Sequence, residues 1–207
     1  MLIQPWDQAP DDWWRGFVEA QGFGHLVAGG GPRREVPIVV PTQFIVGSTP
    51  SEGMGEVVLH LARPNPVWAA IEERPTVVLS VAGDWAYVPS AWKATDDEDP
   101  TLGIPTTYYA AAQLTARAHV LDDPDEIADI LRRTLAHLQP NIPVVDPLAH
   151  GAKLRAIRGL RLEITDVRAK AKYGGNVDVE HRLAVAERLR ERQGPGDAAA
   201  LRHLARS

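Results

Sequence analysis

Glu56–Trp68, EVVLHLARPNPVW, reads as a strand that runs through a turn into a helix. From Glu56 to Leu61 the residues alternate. Val57, Leu59 and Leu61 make a wholly aliphatic face that belongs against a core, while Glu56, Val58 and His60 share the other face. Pro64 and Pro66 fix the turn, and Pro66 suits the first turn of a helix carrying Val67, Trp68 and Ile71. His60 is thereby placed at a strand end beside Arg63 and Asn65. That setting suits a ligand or an acid–base group, and equally a satisfied or exposed histidine.

The chain of 207 residues is 44% hydrophobic, enough for one compact domain, read as residues 1–193 with a flexible tail at 194–207. A net charge of −5 without a long basic run leaves no footprint for indiscriminate nucleic-acid binding. Zero cysteines exclude disulfides, thiolate metal sites and cysteine catalysis. The N-terminus is no signal peptide, and no apolar run approaches the ~20 residues of a membrane span. The expectation is a soluble cytoplasmic protein.

Outward from the opening stretch, Asp11 or Asp12 caps a short helix through Trp13, Trp14, Phe17 and Val18. Strands are expected at His25–Ala28 and at Glu35–Val46, the latter an edge or bulged strand because of Pro37 and Pro41. Thr76–Ala82 is nearly all apolar, so it is buried on both faces or at an interface, and Gly83–Asp84 turns it into Trp85–Val88. Pro89–Pro105 is a long loop with acidic residues from Asp96 to Asp99. Tyr108–Leu121 is a further strand. Asp122–Asp123–Pro124 opens a helix, Leu160–Thr165 alternates as a half-buried strand, and Val179–Arg192 is a basic last helix. About six strands with few helices between them predict a mainly β (α+β) fold, a six-stranded antiparallel barrel with peripheral helices.

Six stretches in order carry a resemblance: HLARPNPVW (His60–Trp68), AYVPSAWK (Ala86–Lys93), IPTTYYA (Ile104–Ala110), LDDP (Leu121–Pro124), LRAIRGLRLEIT (Leu154–Thr165) and AKAKYGGN (Ala169–Asn176). Together they resemble the PaiB-like proteins with the FMN-binding split-barrel fold, which implies a homodimer with a cofactor pocket between two barrels. Two segments depart from the family pattern. Thr107–Tyr108–Tyr109 stands where the family reads W-N-Y, and Lys172–Tyr173–Gly174–Gly175–Asn176 stands where it reads K-L-S-Q-N. The whole pattern is most similar to the haem-dependent piperazate synthases, which close side-chain N-hydroxyornithine into piperazic acid by forming an N–N bond.

That resemblance implies haem b, with His60 as axial iron ligand, and FMN as the alternative cofactor. Lys172 and Tyr173 become candidates for proton transfer or for holding the substrate carboxylate, with Gly174–Gly175 as a lid hinge. Their other readings are a solvated strand-end lysine and a packing residue. Arg63 pairs with an acidic group of cofactor or substrate, or braces its turn. Tyr108 and Tyr109 alternate, so only one can face a pocket. Trp92 and Lys93 close the pocket, unless Trp92 packs in the core. A flavin reading would use Arg117, Lys93 and Thr107 on phosphate, and a regulator reading has no helix-turn-helix behind it.

Overall fold

The computed structural model describes residues 1–30, 32, 34–47, 53–94 and 99–205. Asp96 to Glu98 of the acidic loop, and most of the expected loop from Ser48, lie outside them. Among the described residues the chain forms β1 (Phe23–Ala28), β2 (Ile38–Gln43), β3 (Ile45–Val46), β4 (Glu56–Ala62), β5 (Thr76–Val88), β6 (Thr106–Leu121) and β7 (Ile157–Lys172). The helices are α1 (Trp13–Gln21), α2 (Val67–Glu73), α3 (Pro124–Leu138), α4 (Val179–Arg192) and α5 (Asp197–Leu204).

The strands form one sheet in the order β2-β1-β5-β6-β7-β4-β3. The β1–β2, β1–β5, β3–β4 and β4–β7 pairs are antiparallel. Seven strands replace the expected six, and the order is open, ending at β2 and β3, where a closed barrel was expected. The seventh arises because Glu35–Val46 breaks at Phe44, whose amide donates to Gly22 O at 3.1 Å and leaves Ile45–Val46 to pair with β4. Pro41 is tolerated in β2 because that strand is an edge. Gly83–Asp84 does not end a strand. Asp84 takes φ +52° and β5 continues through it.

By compactness the chain divides into two units, residues 15–81 with 113–167, and residues 1–14 with 82–112 and 168–207. In the first, Leu26, Val57, Leu59, Leu79, Leu114, Leu160 and Leu162 are fully buried. β4 pairs with β7 from Glu56↔Glu163 to Ala62↔Ile157. The second face of β4 is not free, because α3 covers it. Val58 is buried, Glu56 reaches Arg133 of α3 at 3.5 Å, and a Cβ at Gly159, which opposes His60, would lie 2.9 Å from Ile130 Cδ1 of α3. α3 starts where Asp123 accepts from Asp125 N and Glu126 N, as its acidic cap and proline predict. The turn after β4 is held by Asn65 Oδ1, which accepts from Val67 N at 3.0 Å, and by Trp68 Nε1, which donates to Ala62 O at 3.0 Å.

In the second unit α4 buries Val185, Ala186 and Leu189. Residues expected as a tail contain α5, whose first residue, Asp197, is 1% exposed and pairs with Arg192 Nε at 2.8 Å and Gly194 N at 2.8 Å. Thr76–Ala82 is apolar in sequence, but its burial alternates, with Val78 half-buried and Ala82 exposed. No helix among the described residues is long and apolar enough to cross a membrane.

Candidate cofactor and substrate site

The second unit encloses a cavity of about 650 Å³. Three lysines line it, Lys93 after the turn Ser90–Trp92, and Lys170 and Lys172 at the end of β7. Lys170 and Lys172 are two apart, so they share a strand face. Lys172 Nζ donates to Thr106 Oγ1 at the start of β6, at 2.7 Å. Lys170 is buried and reaches Asp7 Oδ2 at 3.2 Å and Leu2 O at 3.2 Å. The N-terminal residues thus form one wall, tied down further by Arg168, which donates to Met1 O at 2.6 Å.

Electrostatics separate the lysines. Burial lowers the Lys93 pKa and the neighbouring Lys172 charge lowers it further, while Asp178 works against both. Burial also presses on Lys170, but the bonds to Asp7 and Tyr109 outweigh it and hold its pKa above the ordinary value. Asp7, the one carboxylate of the wall among the described residues, is committed to Lys170. The cavity therefore favours an anion.

Tyr108 lines the same cavity and is 1% exposed, and its hydroxyl has no hydrogen-bond partner among the described residues. Burial raises its pKa, with Arg182 opposing, so the group is a neutral donor. Such a hydroxyl costs free energy until an acceptor meets it. Gly174 takes φ +79°, and a Cβ there would lie 2.5 Å from Tyr108 Oη. A Cβ at Gly175 would collide with Trp6 O. Close approach therefore accounts for both glycines, where the sequence suggested a hinge.

Of the other expected site residues, Tyr109 does not line the cavity, and Lys170 and Lys172 sit over its ring at 5.4 and 6.0 Å. Trp92 stacks under Arg192 at 4.6 Å. Tyr173 is buried, and its hydroxyl donates to Asp84 O at 2.8 Å, with its pKa pushed up by burial and then by Asp84. It lines a second, smaller cavity. His60 and Arg63 belong to the other unit. His60 makes no hydrogen bond to a described residue, and burial lowers its pKa, which favours the neutral imidazole. Arg63 donates to Arg155 O at 2.9 Å, Asp122 Oδ1 at 2.9 Å and Ile157 O at 3.2 Å, which braces the turn. Among the described residues no group of three or more His, Cys, Asp or Glu side chains could hold a metal ion.

Asp7, Thr106 and Lys170 are cavity residues that sequence reasoning did not single out. Lys170 carried a signal, because it shares the strand periodicity of Lys172. Asp7 carried none, since its partner is far along the chain.

A sequence model of the family described as “Putative FMN-binding domain” matches residues 1–166. “Protease synthase and sporulation protein PAI 2” of Bacillus subtilis is 24% identical over 185 residues, covering 86% of this chain and 84% of that protein. Among solved structures, the flavocytochrome Anf3 from Azotobacter vinelandii has a TM-score of 0.61 at 19% identity, over 88% of this chain and 78% of that one. The FAD and haem binding protein from Mycobacterium smegmatis has a TM-score of 0.59 at 16% identity, over 86% and 78%. These structures share the fold.

Proposed function

The chain belongs to this FMN-binding domain family, and from that premise we propose that it is a haem-dependent cyclase of the piperazate synthase type. Its substrate would be side-chain N-hydroxyornithine and its product piperazic acid. The observation that carries the reading is local. Two residues that depart from the PaiB-like pattern line one cavity, Tyr108 from the first segment and Gly174 from the second, beside Lys172 and Asn176, which keep the pattern. A pocket rebuilt in both segments at once fits a changed substrate.

Haem would take its protein ligand from His60, which belongs to the first unit and is not among the residues lining the cavity, and whose imidazole pKa burial lowers. When bound, haem would supply a Lewis acid that polarises the N–O bond of a hydroxylamine. The chain's own residues do the rest. Lys172, aligned by Thr106, binds the substrate carboxylate. The α-ammonium must lose a proton before its nitrogen attacks, a role open to Lys93, whose pKa burial lowers. Tyr108 donates a hydrogen bond to substrate or departing hydroxyl. The N–O bond breaks, the N–N bond forms and one water leaves, so no reductant is consumed.

A flavin reading is favoured by the family description itself. Lys93, Lys172 and the Thr106 hydroxyl would then hold a phosphate. A Soret band in the purified protein supports haem, and a yellow flavin spectrum supports FMN. We also carry the homodimer as part of the proposal, supported by Trp85 and Tyr87, which share one face of β5 and are 55% and 49% exposed. Sedimentation at micromolar concentration tests it, and a cofactor-loaded monomer would end it.

A further inference from the structure

The smaller cavity of the second unit, about 230 Å³, is walled largely by rings: Trp6, Pro10, Trp13, Tyr173 and His203, with Arg182 set among them. The rings are ordered against one another. Tyr173 and His203 stack with centroids 4.5 Å apart and planes 13° from parallel, and Trp13 meets His203 at 5.6 Å. The stack is fixed from behind, where His203 Nε2 lies 2.6 Å from Asp84 Oδ2 and Tyr173 donates to the Asp84 carbonyl.

Arg182 stands apart from this network. Its Nε is buried with no hydrogen-bond partner among the described residues. Donors left unmade inside a protein are costly, and a native one calls for an acceptor. The guanidinium fork matches a carboxylate, and indole faces match a planar ring. A cavity below the roughly 300 Å³ of drug-sized pockets suits one ring better than a flavin or a porphyrin.

We propose that this cavity, which shares Trp6 with the lysine-lined one, is a second ligand site for a single-ring aromatic carboxylate. The ring packs against Trp6 and Trp13, and the carboxylate meets Arg182. The site does not depend on which cofactor the protein carries.

Benzoate is the probe, titrated into the full-length protein by calorimetry and tryptophan fluorescence, with benzyl alcohol and cyclohexanecarboxylate as comparators. Benzoate is expected to saturate at one site, with both comparators weaker. Arg182→Gln should weaken it roughly ten- to hundredfold, the loss expected for charge-assisted hydrogen bonds. Trp6 is half-exposed, so Trp6→Ala should fold and should also weaken benzoate. Lys172→Ala should leave benzoate affinity unchanged. No saturable binding at millimolar benzoate, wild-type affinity in Trp6→Ala, or affinity lost in Lys172→Ala would each overturn the proposal. If Arg182→Gln does not fold, the Trp6 and Lys172 variants decide.

Discussion

Gly174→Ala, alone and combined with Tyr108→Phe, tests the packing that shapes the candidate site. Two costs fall on the alanine. Its φ of +79° is one that residues with a Cβ rarely adopt, worth about 1–2 kcal/mol. Its Cβ would sit 2.5 Å from Tyr108 Oη, and overpacking of this kind costs about 1–3 kcal/mol. Gly174→Ala alone should therefore lose about 2–5 kcal/mol. Tyr108→Phe removes a buried hydroxyl that has no partner among the described residues, so it should be neutral or stabilising by up to about 1 kcal/mol in cofactor-free protein. In the double variant the nearest obstacles become Arg182 Cγ and the Tyr108 ring carbon, both at 3.3 Å, contacts relieved by a small shift. The double variant should thus recover about 1–2 kcal/mol of the alanine's cost, a clear departure from additivity. Urea unfolding of the four proteins reads it directly. Additive costs, or a Tyr108→Phe variant clearly less stable than wild type, would refute the reasoning, because the hydroxyl would then have a partner or lie elsewhere.

Three further outcomes follow from the same geometry. His60→Ala should strip the iron of its protein ligand, and an unchanged haem spectrum would move the search to Tyr108 or Tyr109. In cofactor-free protein the lowered His60 pKa also sets a pH dependence. Its contribution to stability is complete above the unfolded value near 6.5 and is lost as pH falls below that, so acid titration of His60→Ala should show a flatter profile. Lys172→Ala should keep the cofactor and lose most N–N bond formation, as read by mass spectrometry of the product, whereas normal turnover would remove the role given to that lysine. Asp197→Asn should release α5, at a cost of about 3 kcal/mol for a broken buried pair. Because Arg192 first, and Gly194 after it, hold the Asp197 pKa down, the native pair should weaken as pH drops through the carboxylate range. Circular dichroism and amide exchange in α5 report both effects.

Much of this fold was legible because its signals are local. The acidic cap and proline before α3, the alternation in β4 and the bounds of α4 each lie within a single turn or strand of sequence. Where long-range contacts decide, the sequence was silent or misleading. Gly83–Asp84 reads as a turn, yet Asp84 accepts a positive φ inside β5 and anchors Tyr173 and His203. The polar residues from Thr165 onward ended the apparent strand, but β7 runs on to Lys172. Gly194–Pro195–Gly196 reads as a release of the chain, although Asp197 followed by alanines is a helix start. The second face of β4 seemed open to a ligand because nothing in its own sequence shows that α3 packs there. Within the site, Lys93, Tyr108 and Lys172 were reached from sequence, while the Asp7–Lys170 pair depends on an N-terminal wall that only the folded chain brings together.

The central claim is tested most directly by incubating haem-loaded wild-type protein with side-chain N-hydroxyornithine and measuring the product mass. The account predicts a cyclised product lighter by one water, formed without added reductant. Haem-loaded protein that returns the substrate unchanged would contradict it.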